Sequence, residues 1–191
     1  MSIEIVRLAP QEIAAQSKAL ADIYRAVFTI PPYRETENDA LMFPARVARH
    51  SAKPGFQCLL ARDTTRDQII GLAYGYAAQP GDWWFTQIAR VLSTPTDLRW
   101  LEDSFHLAEL AVIPEWQGQG IGGNLHDTLL RAVTHRHALL STAQSEGRAM
   151  QLYRARGWNV LCEKFIFPGT AVEYVVMVCV VKNLKINRRS V

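Results

Sequence analysis

The chain has 191 residues, 49% of them apolar and 20% charged, with a formal net charge of +3. That length and apolar share allow one substantial core and predict a single domain over residues 1–191, and the mixed charges exclude a largely disordered chain. The small positive excess suits a polyanionic ligand. No Lys/Arg block or aromatic-basic stripe outlines a nucleic-acid groove, and the basic end at 182–189 reads as a solvated tail.

Residues 3–8 alternate like a first strand. Ile13, Leu20, Ile23, Tyr24, Val27 and Phe28 then recur at helical spacing and stop before Pro31-Pro32. A second helix is expected between Asn38 and His50, interrupted or started near Pro44. Residues 56–61 and 68–77 read as the strands of a hairpin around the polar turn Asp63-Thr64-Thr65-Arg66-Asp67. Residues 79–103, which carry Trp83, Trp84, Phe85 and Trp100, read as an irregular piece. An apolar strand ending near Ile113 follows, then a proline-broken turn, a glutamine-and-glycine loop and an amphipathic helix. A strand near 138–142, a helix capped by Gly157, and strands near 158–165 and 172–180 close the chain. Strands that cluster first and then alternate with helices predict a mixed sheet flanked by helices.

The longest apolar run, 174–181, is far shorter than the roughly 20 residues of a spanning helix. Residues 1–8 lack the basic-then-apolar order of a signal peptide, so a cytoplasmic chain without membrane partners is expected. Cys58, Cys162 and Cys179 lie far apart in apolar strand-like segments and read as buried thiols in a reducing compartment rather than catalytic ones. His135 and His137 have no ligand pattern beside them, so no metal site is expected.

The most informative stretch is the loop Gln117-Gly118-Gln119-Gly120-Ile121-Gly122-Gly123. Its glycines leave backbone N–H groups uncovered at a helix start, where unpaired donors and the positive end of the helix dipole suit a pyrophosphate. Gly118, Gly120 and Gly123 formally satisfy G-x-G-x-x-G, yet Pro114-Glu115-Trp116-Gln117 separates them from the strand, and the next strand ends in Ser141 and Thr142 without a carboxylate. No Walker lysine follows. Gln117-x-x-Gly120-x-Gly122 instead resembles the acetyl-CoA pyrophosphate loop of the GNAT N-acetyltransferase superfamily. Arg148-Ala149-Met150-Gln151-Leu152-Tyr153-Arg154-Ala155-Arg156-Gly157-Trp158 resembles that family's tyrosine-containing helix before Gly-aromatic. Where many family members carry an asparagine just before this helix, the chain has Glu146, and a carboxylate cannot donate to a pantetheine carbonyl.

The resemblance implies an α/β (α+β) fold with a mixed, mostly antiparallel twisted sheet flanked by helices. It implies acetyl-CoA as cosubstrate, held by the loop residues Gln117 to Gly123 and by the backbone of Leu110, Ala111 and Val112. An amine acceptor must lose a proton before it attacks the thioester, and the departing thiolate benefits from a proton donor; such help is worth about 10² to 10⁴ in rate. Glu109 interrupts the apolar strand just upstream of the loop, which makes it the candidate base. Tyr153 is the candidate acid by resemblance. Trp116 covers the loop or simply packs.

On the acceptor side, Tyr33 and Glu35 in the segment 28–37 and Trp83 and Trp84 in the aromatic piece combine rings with acids, a combination suited to an organic cation. The expected activity is acetyl transfer to a small primary amine by direct attack on the thioester. Another acyl-CoA or a protein amine as substrate, and an acyl-CoA sensor without turnover, are the alternatives. A homodimer is left open.

Overall fold

The computed structural model describes residues 2–92 and 94–181; the basic end at 182–189 lies outside the described residues. Its elements are β1 (Ile3–Arg7), α1 (Ser17–Phe28), α2 (Glu37–Ser51), β2 (Gln57–Asp63), β3 (Gln68–Ala77), α3 (Trp83–Val91), α4 (Pro95–Leu98), β4 (Ser104–Val112), α5 (Ile121–Ala132), β5 (His137–Ala143), α6 (Arg148–Arg154), β6 (Asn159–Ile166) and β7 (Glu173–Val180). The strands run β1-β2-β3-β4-β5-β7-β6 in a seven-stranded sheet. β4 and β5 are parallel, while β1–β2, β2–β3, β5–β7 and β6–β7 are antiparallel, so the sheet is mixed and mostly antiparallel as expected.

The described residues fall into two compact units. The first takes in those of Met1–Tyr76 and Ala108–Leu129. Its core is built by strict alternation: Cys58 and Leu60 of β2, Leu72, Tyr74 and Tyr76 of β3, and Ala111 of β4 share a cluster with Leu20, Ile23, Tyr24 and Phe28 of α1 and Ala40, Phe43 and Val47 of α2. Each large apolar side chain buried there contributes about 1.5–3 kcal/mol. Just past β4, Ile113 N donates to Ile70 O of β3 at 3.0 Å.

α2 starts on a reciprocal capping pair. Thr36 Oγ1 accepts from Asp39 N at 3.2 Å, and Asp39 Oδ2 accepts from Thr36 N at 2.9 Å. Contrary to expectation, Pro44 neither starts nor interrupts this helix, although it removes one backbone donor. Pro44 is buried beside Phe43 and Val47, and that packing outweighs the missing hydrogen bond.

The second unit takes in the described residues of Ala77–Leu107 and Leu130–Val191. Trp84, Ile88 and Leu92 pack there with Leu139 of β5 and with Val176 and Val178 of β7. The piece read as irregular is therefore largely helical: α3 and α4 are followed by a 3-10 turn at Arg99–Leu101. Trp84, Gln87 and Ile88 form the buried side of α3, and the buried glutamine is what masks its apolar stripe in the sequence. Cys58 and Cys179 are buried, but Cys162 on the outer strand β6 is only partly so; all are free thiols. No helix among the described residues is long and apolar enough to cross a membrane.

Candidate active site

Glu109 sits on β4 two residues before Ala111, and so on the strand face that Ala111 turns towards the α1–α2 core. Its carboxylate meets a cation from α2: Arg46 Nη2 donates to Glu109 Oε1 at 3.3 Å, and the Glu109 side chain retains only 18% of its exposure. The guanidinium itself lies 4.9 Å from the Tyr24 ring centroid and 5.1 Å from that of Phe43. Those rings stack on each other at 4.5 Å.

Burial pushes the Glu109 carboxyl up, Arg46 pulls it down and the charge of Glu35 pushes it up again, leaving it at about 7. A carboxyl at that value is divided between acid and base near neutral pH, which is where a general base works best. Burial, and then the charge of Glu109, also raise the phenols of Tyr24 and Tyr74, which therefore stay protonated. Tyr74 Oη lies 3.2 Å from His50 Nδ1.

Glu35 belongs to the connection between α1 and α2. Its carboxyl is raised by burial and by the neighbouring Asp39, with Arg46 opposing. Tyr33, on the same connection, meets Phe28 edge-on at 4.9 Å. Thus Glu109, Arg46, Glu35 and Asp39 form one electrostatic group walled by aromatic rings.

The glycine loop continues from the same strand. After a 3-10 turn at Pro114–Trp116, Gln117 Nε2 donates to Val112 O at 2.8 Å, and Gly118 and Gly120 take φ of 79° and 82°. Left-handed values of that kind strain any residue with a Cβ, which accounts for glycine at both places. The first α5 bond runs from Asn124 N to Gly120 O at 3.0 Å, so the N–H groups of Ile121, Gly122 and Gly123 are not consumed by the helix. Gln119 Nε2 folds back onto Glu115 O at 3.2 Å. Trp116 is buried, with Arg66 stacked 5.4 Å from its ring centroid, so the ring packs. The pairing of β4 with β5 covers Ser104, Phe105 and His106 and stops before Leu110, Ala111 and Val112. The donors fit a pyrophosphate, and the strand backbone beyond His106 fits an extended chain of amides.

Tyr153, Trp83 and Trp84 belong to the second unit. Tyr153 is buried in the last turn of α6 with its ring 5.6 Å from that of Trp158. The helix closes as the sequence predicts, with Trp158 N donating to Tyr153 O at 3.2 Å and Gly157 at φ 75°. Glu146 is engaged with Arg154 at 2.9 Å. Trp84 stacks on His106 at 3.7 Å and donates from Nε1 to Ser141 Oγ at 3.0 Å, whereas Trp83 is 58% exposed over Phe167.

Sequence reasoning missed Arg46, Tyr24 and Tyr74. The available signal was spacing: Arg46 falls three residues after Phe43, on the edge of the helix stripe that also carries Ala40 and Val47. A charge placed there faces inward far enough to meet a buried partner.

Residues 17–158 match the acetyltransferase (GNAT) family model. A GCN5-like protein acetyltransferase of Mycobacterium tuberculosis is 32% identical over 117 residues, 57% of either chain, so this chain spans little more than half the length of that curated relative. A GNAT-family protein from Desulfovibrio desulfuricans shares the fold with a TM-score of 0.64 at 16% identity, covering 94% of this chain and 99% of its own. A Salmonella typhimurium protein solved with its cofactor acetyl-CoA has a TM-score of 0.56 at 16% identity, covering 95% of each chain. The chain belongs to the GNAT family of acetyltransferases, acyltransferase enzymes whose cosubstrate is acetyl-CoA.

Proposed function

We propose that the chain transfers an acetyl group from acetyl-CoA to a small primary amine by direct attack of the amine on the thioester. The observation that carries this reading is the Glu109 carboxylate, held near pH 7 on the strand that leads into the glycine loop. Glu109 takes the proton from the acceptor ammonium, directly or through water. The free amine attacks the thioester carbonyl carbon, the carbon–sulfur bond breaks as Tyr153 donates its phenolic proton to the departing thiolate, and the second proton of the new amide nitrogen passes to the Tyr153 phenolate, directly or through water.

The pyrophosphate of acetyl-CoA is assigned to the loop residues Gln117, Gly118, Gln119, Gly120, Ile121, Gly122 and Gly123, with the N–H groups of Ile121, Gly122 and Gly123 as open donors. Its pantetheine amides are assigned to the backbone of Leu110, Ala111 and Val112. Tyr33 and Glu35 are assigned to the acceptor, as are Trp83 and Trp84. Glu35 acts electrostatically on Glu109, and two acids so close together suit a cationic amine, which supports an amine acceptor. Residues 1–191 are taken as a single acetyltransferase domain, a reading supported by a family match that runs through segments of both units. Free thiols suit a reducing cytoplasm.

A protein amine is the second reading, favoured by the name of the mycobacterial relative as a protein acetyltransferase. Acetyl-CoA-dependent thiol release, screened across amino acids, polyamines, arylalkylamines and lysine-containing proteins, tests both. Release with a small amine supports the first reading and release with proteins alone supports the second. Acetyl-CoA binding without release for any acceptor or acyl chain leaves a sensor and defeats both.

A further inference from the structure

We propose that Arg46 is a positioning residue for proton removal: its guanidinium, set against Glu109 Oε1 and the aromatic rings of Tyr24 and Phe43, supports the carboxylate against its buried surroundings and fixes its direction. The inference rests on Glu109 being the base.

The contact is specific and the arginine is not free to wander. Nη2 lies 3.3 Å from Glu109 Oε1, while the face of the guanidinium is set against Tyr24 and Phe43 at 4.9 Å and 5.1 Å. Stacked planar contacts of this sort suit arginine and not lysine. Nε is buried and makes no hydrogen bond among the described residues. A buried donor left over is unfavourable, so the group is not placed here to satisfy its own hydrogen bonds. Its position serves the carboxylate and the rings.

The surroundings of Glu109 otherwise favour the neutral acid. Tyr24 faces it from α1 and Tyr74 from β3; both are neutral phenols. Glu35 faces it from the α1–α2 connection and adds negative charge. Asp39 lies next to Glu35 and is itself stabilised by Arg46, so it draws on the same guanidinium. Among the described residues, Arg46 is thus the cation that acts on Glu109. A base so enclosed without a cation would stay protonated through neutral pH and could not accept the acceptor's proton.

Carbon-13 carboxyl NMR of glutamate-labelled protein tests this without turnover, with the Glu109 signal assigned by its loss in Glu109→Gln. The wild-type carboxyl should titrate near 7. Arg46→Gln and Arg46→Met should each raise the midpoint by about one pH unit or more, the usual effect of removing an adjacent opposite charge. Arg46→Lys should return most of the wild-type value. Arg46→Met keeps an apolar stem between the rings, so the measurement survives if Arg46→Gln does not fold.

The acid limb of the kcat–pH profile should move with the NMR midpoint. Relative to wild type, Arg46→Gln should then lose roughly ten-fold more activity at pH 6 than at pH 9. A midpoint unchanged in both neutral variants overturns the proposal, because a purely packing arginine would alter stability and leave the titration in place. If Glu109→Gln keeps wild-type turnover while the midpoint does shift in the Arg46 variants, the base assignment has failed and the electrostatic coupling has not.

Discussion

Gln117 Nε2 donates a 2.8 Å hydrogen bond to the carbonyl oxygen of Val112, tying the first residue of the glycine loop to the last residue of β4. The bond closes over the short turn at Pro114–Trp116 and so sets where the loop begins relative to the strand. In the proposed role of aiming backbone N–H groups at a pyrophosphate, the loop depends on such an anchor, because its glycines supply no rigidity of their own.

Gln117→Ala should therefore weaken acetyl-CoA binding by about three- to ten-fold, the equivalent of one ordinary hydrogen bond at about 0.5–1.5 kcal/mol. Titration calorimetry reads the affinity directly. Wild-type affinity in the variant would mean that the loop holds its shape without this bond.

Gly71 on β3 lies close against the end of β4. A Cβ there would lie 2.9 Å from Ala111 O and 3.2 Å from both Leu125 Cδ1 and Val112 Cγ2. The first of these atoms is backbone and cannot rotate away. Gly71→Ala should destabilise the fold by about 1–3 kcal/mol and displace β4 at two of the residues assigned to acetyl-CoA. Urea unfolding together with acetyl-CoA titration checks both effects; unchanged stability would mean that β4 yields at no cost.

Tyr153→Phe separates chemistry from packing, since the ring against Trp158 stays while the donor is lost. Turnover should fall by about ten-fold or more, with acetyl-CoA affinity little changed. Equal turnover under conditions where chemistry limits the rate removes Tyr153 as the acid.

Punctuation made the loop legible. Pro114, the glycine spacing and Gly157 each dictate a backbone state that few alternatives satisfy, and the corresponding turn, helix start and helix end lie where those residues predict. α3 was hidden for the opposite reason. Adjacent Trp83, Trp84 and Phe85 show no period, and the buried Gln87 interrupts the stripe that Trp84 and Ile88 begin. Arg46 was hidden because a lone cation on a helix ordinarily faces water. Its helical spacing places it at the edge of the buried stripe, but that it meets Glu109 is set by the tertiary position of β4. Long-range pairing between an element read as a helix and one read as a strand is information that local spacing does not carry.

Glu109→Gln carries the sharpest expectation, because the same raised carboxyl governs rate and stability with opposite signs. The base must be ionised, so wild-type activity should rise with pH through about 7 and level off above it. The amide cannot take a proton; the variant should lose that limb, fall by roughly 10² or more at pH 7, and recover part of the loss at higher pH as more acceptor arrives neutral. For stability, the folded carboxyl binds its proton more tightly than an unfolded one, whose ordinary value is 4.5. Between pH 4.5 and about 7 the folded state therefore holds the extra proton, and wild-type stability declines as pH rises across that window. Glu109→Gln has no such decline, so its thermal midpoint relative to wild type should climb from pH 4.5 to 7 and then stay level. A catalytic defect that is independent of pH, together with a stability difference that is flat across the window, would show that Glu109 is an ordinary carboxylate, and the base would have to be sought at Glu35 or in water.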